Sequence, residues 1–558
     1  MLSVKDILMC IKRFIMQIRR IKVYSMFVKN KSIIAIFILL LIVLFAFSIR
    51  SFPYLFHDYD YVVGPDAGIY QYLFSKYLNS ESWSVLPAYP HLENYERSLS
   101  IWMEPGFFTL NAIVGKTIGI PTRPMFQYFL PFQISLIFTF LMFIIGRHIT
   151  SKIGGNQTIG GLITALFFAV SPFQYLILNE CLYKQIYGIF ILLLAIYLLQ
   201  KFKESNRLKF LLCSTLFGAS LIAYHRPEVL VLGFVYLYCT FHSIMLKHYR
   251  TPKLILLSAF LILCISSIVW IPNLGWNLQI IKDSVVASTT QAGGDIGGAI
   301  PRVLKGYSYP LVGYFLYPAV IPVLAFLGLV RIFTGKKLYN NLFVVSTIFL
   351  FVVIMLKLIY YGRFFYLFDI LMLLFASVGL LILKNLFNKN NSKKTFCTSL
   401  SFIVIILVCS ATLYQSQISP YISYKSRDTD YIKNNINKNN SLIFAPFWLS
   451  TILKSEGYRV AHYEDSAQSH LLTYSVFHIE GLYILYNFDI SNIEKKYYLD
   501  NVKNIYFMWG KWDETHAEPP FFKKISAEEC VNNDHLKLIY SGDNIKICQY
   551  EIKNLYKN

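Results

Sequence analysis

The sequence is short of charged residues, and of acidic residues above all. Of its 558 residues only 15% are charged, with 31 Asp and Glu against 52 Lys and Arg, while 55% are hydrophobic. A soluble fold of this length cannot bury so much apolar surface, so the composition excludes a soluble globular protein. The basic residues fall in short clusters between apolar runs, which is typical of the cytoplasmic loops of a multi-pass membrane protein. We therefore attribute the net charge of +21 to membrane topology and expect no nucleic-acid partner.

Three further features are missing from the sequence. There is no internal repeat, which argues against the repeat architecture common among transporters. No small-residue cleavage site follows the first apolar run, so we expect this run to remain as a membrane helix, with the basic tail 1–32 in the cytoplasm. None of the nine cysteines has metal-ligand spacing. Cys530 and Cys548 fall in the polar C-terminal region and could form a disulfide if that region lies outside the cell, although sequence alone does not show that they pair.

The long apolar runs predict an α-helical polytopic membrane protein with about eleven transmembrane helices, since crossing a bilayer takes about 20 apolar residues. The runs lie within a predicted transmembrane domain of residues 33–418. They occupy residues 33–52, 124–147, 158–172, 185–200, 209–224, 228–246, 254–273, 307–331, 338–357, 361–383 and 398–418. If the helices alternate in direction, five basic loops and the N-terminal tail share one side, the cytoplasmic side. These loops are residues 147–152, 200–209, 247–253, 331–337 and 384–394.

One stretch tests this topology. Residues 106–120 are apolar enough to be another membrane helix, but counting them would place most basic clusters outside the cell. We therefore predict an interfacial or re-entrant helix within a long first external loop, residues 53–123. A second external loop, residues 274–306, is rich in Gly and small polar residues and is either a plain linker or a mobile lid.

The C-terminal region, residues 419–558, is polar and differs from the rest of the chain. It contains one helix-like stretch, DTDYIKNNINKN, and three strand-like stretches, SLIFAPF, VKNIYFMW and NIKICQY. We predict a small α/β or α+β domain. An odd number of membrane crossings places it on the extracytoplasmic side of the cell membrane.

The first external loop carries unusual acidic residues. They are Asp58, Asp60, Asp66 and Glu104. Asp66 precedes an amphipathic aromatic pattern that predicts a helix along the interface, which would hold this carboxylate at the boundary between water and lipid. The ordinary alternative is that Asp66 is only a helix N-cap. Asp58, Asp60 and Asp66 could hold Mg²⁺ or Mn²⁺ through oxygen ligands, and the sequence leaves the need for a metal open.

Several motifs occur in a characteristic order. They are GPDAGIYQYLFSKYL from Gly64, EPGFFTLNAIVGKTIGI from Glu104, IIGRHITSKIGG, LITALFFAVSPFQYLI and, later, YGRFFYLFDILMLLFASVGL from Tyr361. Over residues 33–420 this order resembles the GT-C superfamily of integral membrane glycosyltransferases, which use polyprenyl-phosphate sugars. The chain departs from that pattern at Ala67, where a second acid is usual, and at Glu104-Pro105-Gly106, where two prolines are usual.

The resemblance implies a reaction and a set of site residues. A hexose or pentose would pass from a polyprenyl-phosphate-linked donor to a glycan, lipid or protein acceptor, with Asp66 as general base and Glu104 as a second catalytic carboxylate. Negative charge would develop on the departing phosphate, so a cation should meet it. The candidates are Lys184, Arg226 and Arg363 at the predicted outer ends of helices, which could equally be headgroup anchors.

Two alternatives remain open at the sequence level. A transporter or flippase of lipid-linked glycans should carry ionisable residues within its membrane helices, and here only Lys357 and Asp369 lie so deep. A glycan polymerase or ligase of another membrane fold would also use lipid-linked donors, but would not require the Gly-Pro-Asp segment after the first helix.

Overall fold

The fold is a large helical bundle followed by a small β-sheet. The computed structural model describes residues 31–56, 70–71, 74–75, 77–78, 105–179, 182–246, 250–270, 311–334, 341–356, 361–386, 400, 426–445, 449, 452–453, 456–462, 503–510, 536–542 and 545–550. The bundle helices in chain order are α1 (Lys31–Arg50), α2 (Phe52–Phe56), α3 (Pro105–Ile118), α4 (Thr122–Lys152), α5 (Gln157–Val170), α6 (Pro172–Asn179), α7 (Tyr183–Ser205), α8 (Leu208–Tyr224), α9 (Pro227–Met245), α10 (Arg250–Trp270), α11 (Leu311–Thr334), α12 (Leu342–Met355) and α13 (Tyr361–Leu386).

Many of these helices match the predicted membrane crossings. Within the described residues, six helices contain stretches long and apolar enough to cross a membrane: α1, α4, α7, α9, α10 and α13. Four shorter apolar helices or helix segments, in α5, α8, α11 and α12, fall where further crossings are predicted. The 14-residue α3 belongs to neither group. The predicted crossing 398–418 lies outside the described residues except for residue 400.

The bundle is apolar on its outside as well as in its core. Helices α7 and α13 are central and mostly buried, whereas α1 and α10 are peripheral and expose large side chains such as Leu263 and Ile268. Such an apolar exterior is stable only in a lipid environment, where each helix satisfies its own backbone hydrogen bonds. The closest packing joins α11 to α13, α5 to α4, and α7 to α8.

The described parts of four of the five loops predicted to be basic meet at one end of the bundle. Near the C-terminal end of α4, Lys152 Nζ and His148 Nε2 each lie 3.1 Å from Glu204 Oε1 in the last turn of α7. The amide of Gln200 donates a 2.7 Å hydrogen bond to the same oxygen, and its carbonyl accepts a hydrogen bond from the Leu342 amide of α12. We refer to this end of the bundle as the Lys152 end.

The described part of the C-terminal region contains a mixed five-stranded sheet and a helix that packs against it. Helix α14 is Ser426–Asn435, and the strands are β1 (Ser441–Ala445), β2 (Arg459–His462), β3 (Asn504–Gly510), β4 (Leu536–Ser541) and β5 (Ile545–Tyr550). In the order β2-β1-β3-β5-β4, β1 pairs in parallel with β2 and β3, and β5 pairs antiparallel with β3 and β4. Burial in the core beneath the sheet, with Glu456 nearby, raises the pKa of Tyr458 to about 12.

This sheet domain lies at the opposite end of α4 from Lys152. Arg123, in the first turn of α4, interacts electrostatically with Glu456 and with Asp430 of α14. Since α4 has 31 residues, the domain and the basic cluster are separated by about 45 Å of helix. We refer to this second end as the Arg123 end. In β5, Cys548 takes part in a disulfide bond. Whether Cys530 is the partner was left open by the sequence, and Cys530 lies outside the described residues.

Candidate active site

An aromatic cluster fills the Arg123 end of the bundle. Its members are Tyr70, Phe74, Phe107, Phe108, Phe126, Tyr183 and Tyr187. The Tyr70 ring lies 5.8 Å from Phe107 of α3 and 5.6 Å from Tyr183 of α7, and Phe107 stacks on Tyr183 at 5.9 Å. Edge-to-face and stacked rings at these distances stabilise each other beyond simple burial. The cluster therefore fixes Tyr70 and Phe74 against the start of α3, the start of α4 and the start of α7.

A glycine allows α3 to approach α8 closely. A Cβ atom on Gly106 would lie 2.9 Å from the backbone oxygen of Ala223 and 2.9 Å from the ring of Tyr224. No larger residue fits there without moving one of the helices. This contact explains why position 106 is a glycine, and it joins the segment after Glu104 to the segment that leads into His225.

Polar side chains are bound to one another beneath the aromatic rings. The Tyr187 hydroxyl donates a 2.6 Å hydrogen bond to Gln133 Oε1 of α4 and lies 3.5 Å from Asn111 Oδ1 of α3. Asn111, itself fully buried, donates to the Phe107 carbonyl at 2.8 Å. Buried polar groups need such partners, so this network fixes the relative positions of α3, α4 and α7.

A histidine–carboxylate pair begins α9. His225 Nδ1 hydrogen-bonds Glu228 Oε2, and His225 packs against Gly188 of α7. Glu228 is fully buried, and its other oxygen has no hydrogen-bond partner. Lys184 precedes Gly188 by one helical turn, and Arg226 follows His225. Two of the three predicted phosphate-binding residues therefore lie on neighbouring segments, and both are partly buried.

The third predicted cation, Arg363, lies in the first turn of α13. Two turns further along, the buried carboxylate of Asp369 accepts hydrogen bonds from Ser171 Oγ at 3.0 Å and Gln174 Nε2 at 2.8 Å. Gln174 also donates to the Tyr366 carbonyl at 3.2 Å. This carboxylate thus connects α13 to the Ser-Pro corner at the start of α6.

Arg50, at the end of α1, is a further cation at this end of the bundle. Its side chain is 2% exposed, its two terminal nitrogens contact the carbonyl oxygens of Ala46 and Phe168, and its guanidinium lies 4.9 Å from the Phe168 ring. Its Nε has no hydrogen-bond partner. The chain enters the acidic first loop a few residues later, so a buried positive charge stands where that loop begins.

The remaining predicted site residues cannot be placed. Asp58, Asp60, Asp66 and Glu104 lie outside the described residues. Within the described part of the chain, no three His, Cys, Asp or Glu side chains come together as a metal site. The roles of Asp66 and Glu104, and of a metal held by Asp58, Asp60 and Asp66, stay predictions.

Sequence reasoning did not find several polar residues at this end. Gln133 and Asn111 each stand alone in an apolar helix, which is the signal that could have indicated a buried hydrogen-bond network. Arg50 follows an apolar run, where an arginine is normally interpreted as a headgroup anchor. Its burial comes from the packing of α1 on α5, which no local pattern in the sequence contains.

This combination of a helical bundle with a small sheet domain at the Arg123 end is found in other proteins of known structure. Among solved structures, ArnT from Cupriavidus metallidurans shares this fold in its apo state, with a TM-score of 0.55 and 10% identity, and bound to undecaprenyl phosphate, with a TM-score of 0.58 and 10% identity. Each match covers 93% of this chain and 98% of ArnT. The oligosaccharyltransferase of Archaeoglobus fulgidus, in the apo form, matches with a TM-score of 0.50 and 11% identity, over 85% of this chain and 70% of its own. No protein-family model matches the sequence, and no curated protein matches it.

Proposed function

We propose that the protein is a membrane glycosyltransferase that takes a sugar from a polyprenyl-phosphate-linked donor and transfers it to a glycan, lipid or protein acceptor. The observation that carries this proposal is the shared fold with ArnT, whose structure is known with bound undecaprenyl phosphate. That likeness extends over 93% of the chain, so it includes both the bundle and the region of the sheet domain. The oligosaccharyltransferase supports the same class of reaction.

The reaction takes place at the Arg123 end, which faces away from the cytoplasm. Two independent observations support this orientation. The described parts of four predicted basic loops lie at the Lys152 end, and such loops are retained in the cytoplasm. The sheet domain at the Arg123 end carries a disulfide at Cys548, and disulfides persist in oxidising compartments outside the cytoplasm.

In the proposed mechanism Asp66 removes the proton from the acceptor hydroxyl as its oxygen bonds to the anomeric carbon of the sugar. The bond between that carbon and the phosphate oxygen breaks, and polyprenyl phosphate leaves with the electron pair. Arg363, Arg226 and Lys184 supply positive charge for the departing phosphate, and Glu104 is a second carboxylate for the acceptor side. Should Mg²⁺ or Mn²⁺ take part, Asp58, Asp60 and Asp66 would hold it and it would offset phosphate charge.

The described contacts support this assignment of the two carboxylates. Tyr70 follows Asp66 by four residues, and Phe107 follows Glu104 by three. The rings of Tyr70 and Phe107 are in contact. Asp66 and Glu104 therefore each precede, by three or four residues, a member of the same aromatic cluster. Tyr183 belongs to this cluster too, and Lys184 is the next residue in the sequence.

The test is the substitution Asp66→Asn in the purified protein. We expect release of polyprenyl phosphate, measured with a panel of polyprenyl-phosphate sugars, to fall by about 10²–10⁴-fold, because a general base contributes roughly that much to the rate. Donor binding, measured by titration, should change little, since removing a base lowers the rate before the affinity.

Asp430→Asn is the matched control, because Asp430 is an exposed carboxylate on α14 in the sheet domain. It should leave turnover unchanged. Full turnover in Asp66→Asn would assign the base to another carboxylate of the loop, and the absence of turnover with every donor in the parent protein would contradict the proposed function itself.

A further inference from the structure

One polar pair at the Arg123 end has no role in the mechanism proposed above. It consists of His225, in the extended connection between α8 and α9, and Glu228, in the first turn of α9. His225 Nδ1 hydrogen-bonds Glu228 Oε2, and the side chain of Glu228 is fully buried. A carboxylate is costly to remove from water, so its burial beside a histidine calls for a physical reason.

Glu228 fixes the orientation of the His225 ring. A carboxylate accepts hydrogen bonds, so Nδ1 of the ring carries the hydrogen between the two groups. The second carboxylate oxygen, Oε1, has no hydrogen-bond partner, and His225 is the one group in the described part of the chain that bonds to Glu228. A ring with hydrogen on both nitrogens balances this buried negative charge, and its Nε2–H is then a donor.

The second ring nitrogen of His225, Nε2, is the atom of the pair that is open to a ligand. No described residue hydrogen-bonds it, and it is not enclosed as Glu228 Oε1 is. The His225 side chain is 13% exposed, whereas that of Glu228 is 0% exposed. The buried carboxylate therefore directs an accessible nitrogen, because the hydrogen bond made by one nitrogen of a histidine sets the role of the other.

The packing of His225 brings it close to one of the cations proposed for the departing phosphate. A Cβ atom on Gly188 of α7 would lie 2.7 Å from the His225 Cβ. Lys184 comes four residues before Gly188, so both lie on the same face of α7, one turn apart. Arg226, the next residue in the sequence, is another of these cations. The histidine–carboxylate pair therefore lies beside two residues to which phosphate binding is already assigned.

The segment that leads into His225 also contacts the start of α3. A Cβ atom on Gly106 would lie 2.9 Å from the ring of Tyr224, and this ring stacks on Tyr187 of α7 with the centroids 6.2 Å apart. Glu104, the second proposed carboxylate, comes two residues before Gly106 in the sequence. His225 therefore follows a segment that is packed between the start of α3 and the first turns of α7.

We propose that His225 is a further substrate-contacting residue of the transfer reaction. Its Nε2–H donates a hydrogen bond to an oxygen of the polyprenyl phosphate, and Glu228 is the positioning residue that holds the ring. The hydrogen bond strengthens as negative charge develops on the departing phosphate, because hydrogen bonds between charged groups are the stronger ones. This inference rests on the proposed function, from which it takes the lipid-linked phosphate.

Two substitutions of His225 separate contact with the ligand from support of Glu228. In His225→Asn the amide nitrogen reaches about as far as Nδ1, so it can keep the hydrogen bond to Glu228 but offers no donor at the position of Nε2. The longer side chain in His225→Gln places a donor near that position and leaves Glu228 without one. Undecaprenyl phosphate is titrated into the purified full chain in a neutral detergent, and undecaprenol, which lacks the phosphate, is the comparison ligand.

We expect His225→Asn to melt close to the temperature of the parent but to bind undecaprenyl phosphate about tenfold more weakly, as for loss of one charge-assisted hydrogen bond. Its affinity for undecaprenol should equal that of the parent. His225→Gln should melt at a lower temperature, because the buried carboxylate has lost its donor, and should keep more of the affinity for undecaprenyl phosphate than His225→Asn does.

His242→Asn is the matched control, because His242 is a partly buried histidine in the last turn of α9, at the Lys152 end. It should bind both ligands as the parent does. Equal affinity of His225→Asn and parent for undecaprenyl phosphate would overturn the inference, and so would an equal loss of affinity for both ligands, which indicates a purely structural role. A parent protein that does not bind undecaprenyl phosphate would contradict the proposed function, and this inference with it.

Discussion

At the scale of single residues, the hydrogen bonds of Asp369 favour the proposed enzyme over the transporter alternative. A carboxylate deep in a membrane helix can carry protons or line a substrate path. Here the Asp369 carboxylate instead accepts hydrogen bonds from Ser171 and Gln174, the first residues of the corner between α5 and α6. These contacts give it a structural role that does not require a change of protonation.

This role predicts different outcomes for two substitutions. Asp369→Ala leaves the Ser171 hydroxyl and one Gln174 donor without their acceptor, and each buried unmet group costs about 1–3 kcal/mol. We expect the melting temperature to fall clearly. Asp369→Asn keeps an oxygen acceptor in place, so stability and glycosyl transfer should stay close to those of the parent. Equal loss of activity in a folded Asn variant would instead indicate that the charge itself is used.

At the scale of helices and strands, local pattern predicted much of what is observed. The apolar runs in the described residues correspond to helices, the stretches SLIFAPF and NIKICQY contain β1 and β5, and VKNIYFMW contains all of β3 except its last residue. Strands β2 and β4 were not predicted, because RVAH and LKLIYS are short and lack a clean alternation. The strand order could not be predicted from local sequence either, because β1 pairs with β3, which lies about 60 residues further along the sequence.

Two glycines allow helices α11 and α13 to pack very closely. Helices α11 and α13 cross in backbone contact: a Cβ atom on Gly379 would lie 1.9 Å from the Leu324 oxygen, and one on Gly328 would lie 2.0 Å from the Phe375 oxygen. Because each obstacle is backbone, the helices themselves would have to separate. We expect Gly379→Ala to lower stability by roughly 1–3 kcal/mol, measured as loss of folded protein on heating in detergent.

Gly233 of α9 supplies the comparison for that experiment. No atom lies within 4 Å of a Cβ placed there, so Gly233→Ala adds helix propensity without a clash. It should be as stable as the parent or slightly more so. A Gly379→Ala variant as stable as Gly233→Ala would contradict the close crossing of α11 and α13.

At the scale of the whole molecule, the candidate site forms where the ends of helices from distant parts of the sequence come together. The sequence indicates Lys184 and Arg226 as separate cations, more than 40 residues apart. The packing of Gly188 against His225 and the stacking of Tyr187 on Tyr224 bring their segments together. The order of the motifs therefore predicted the class of fold. Which residues are buried, and which distant segments come together, could be learned only from the structure.

The orientation of the chain in the membrane can be tested with two variants, each of which carries one introduced cysteine. Asn434 is exposed on α14 at the Arg123 end, and Ser205 is exposed at the end of α7 near Lys152. In intact cells of the expression host, a membrane-impermeant maleimide should label Asn434→Cys but reach Ser205→Cys only after the membrane is opened. The parent protein measures the background from native thiols. Labelling of Ser205→Cys in sealed cells would reverse the topology and move the disulfide of Cys548 into a reducing compartment, where it would not persist.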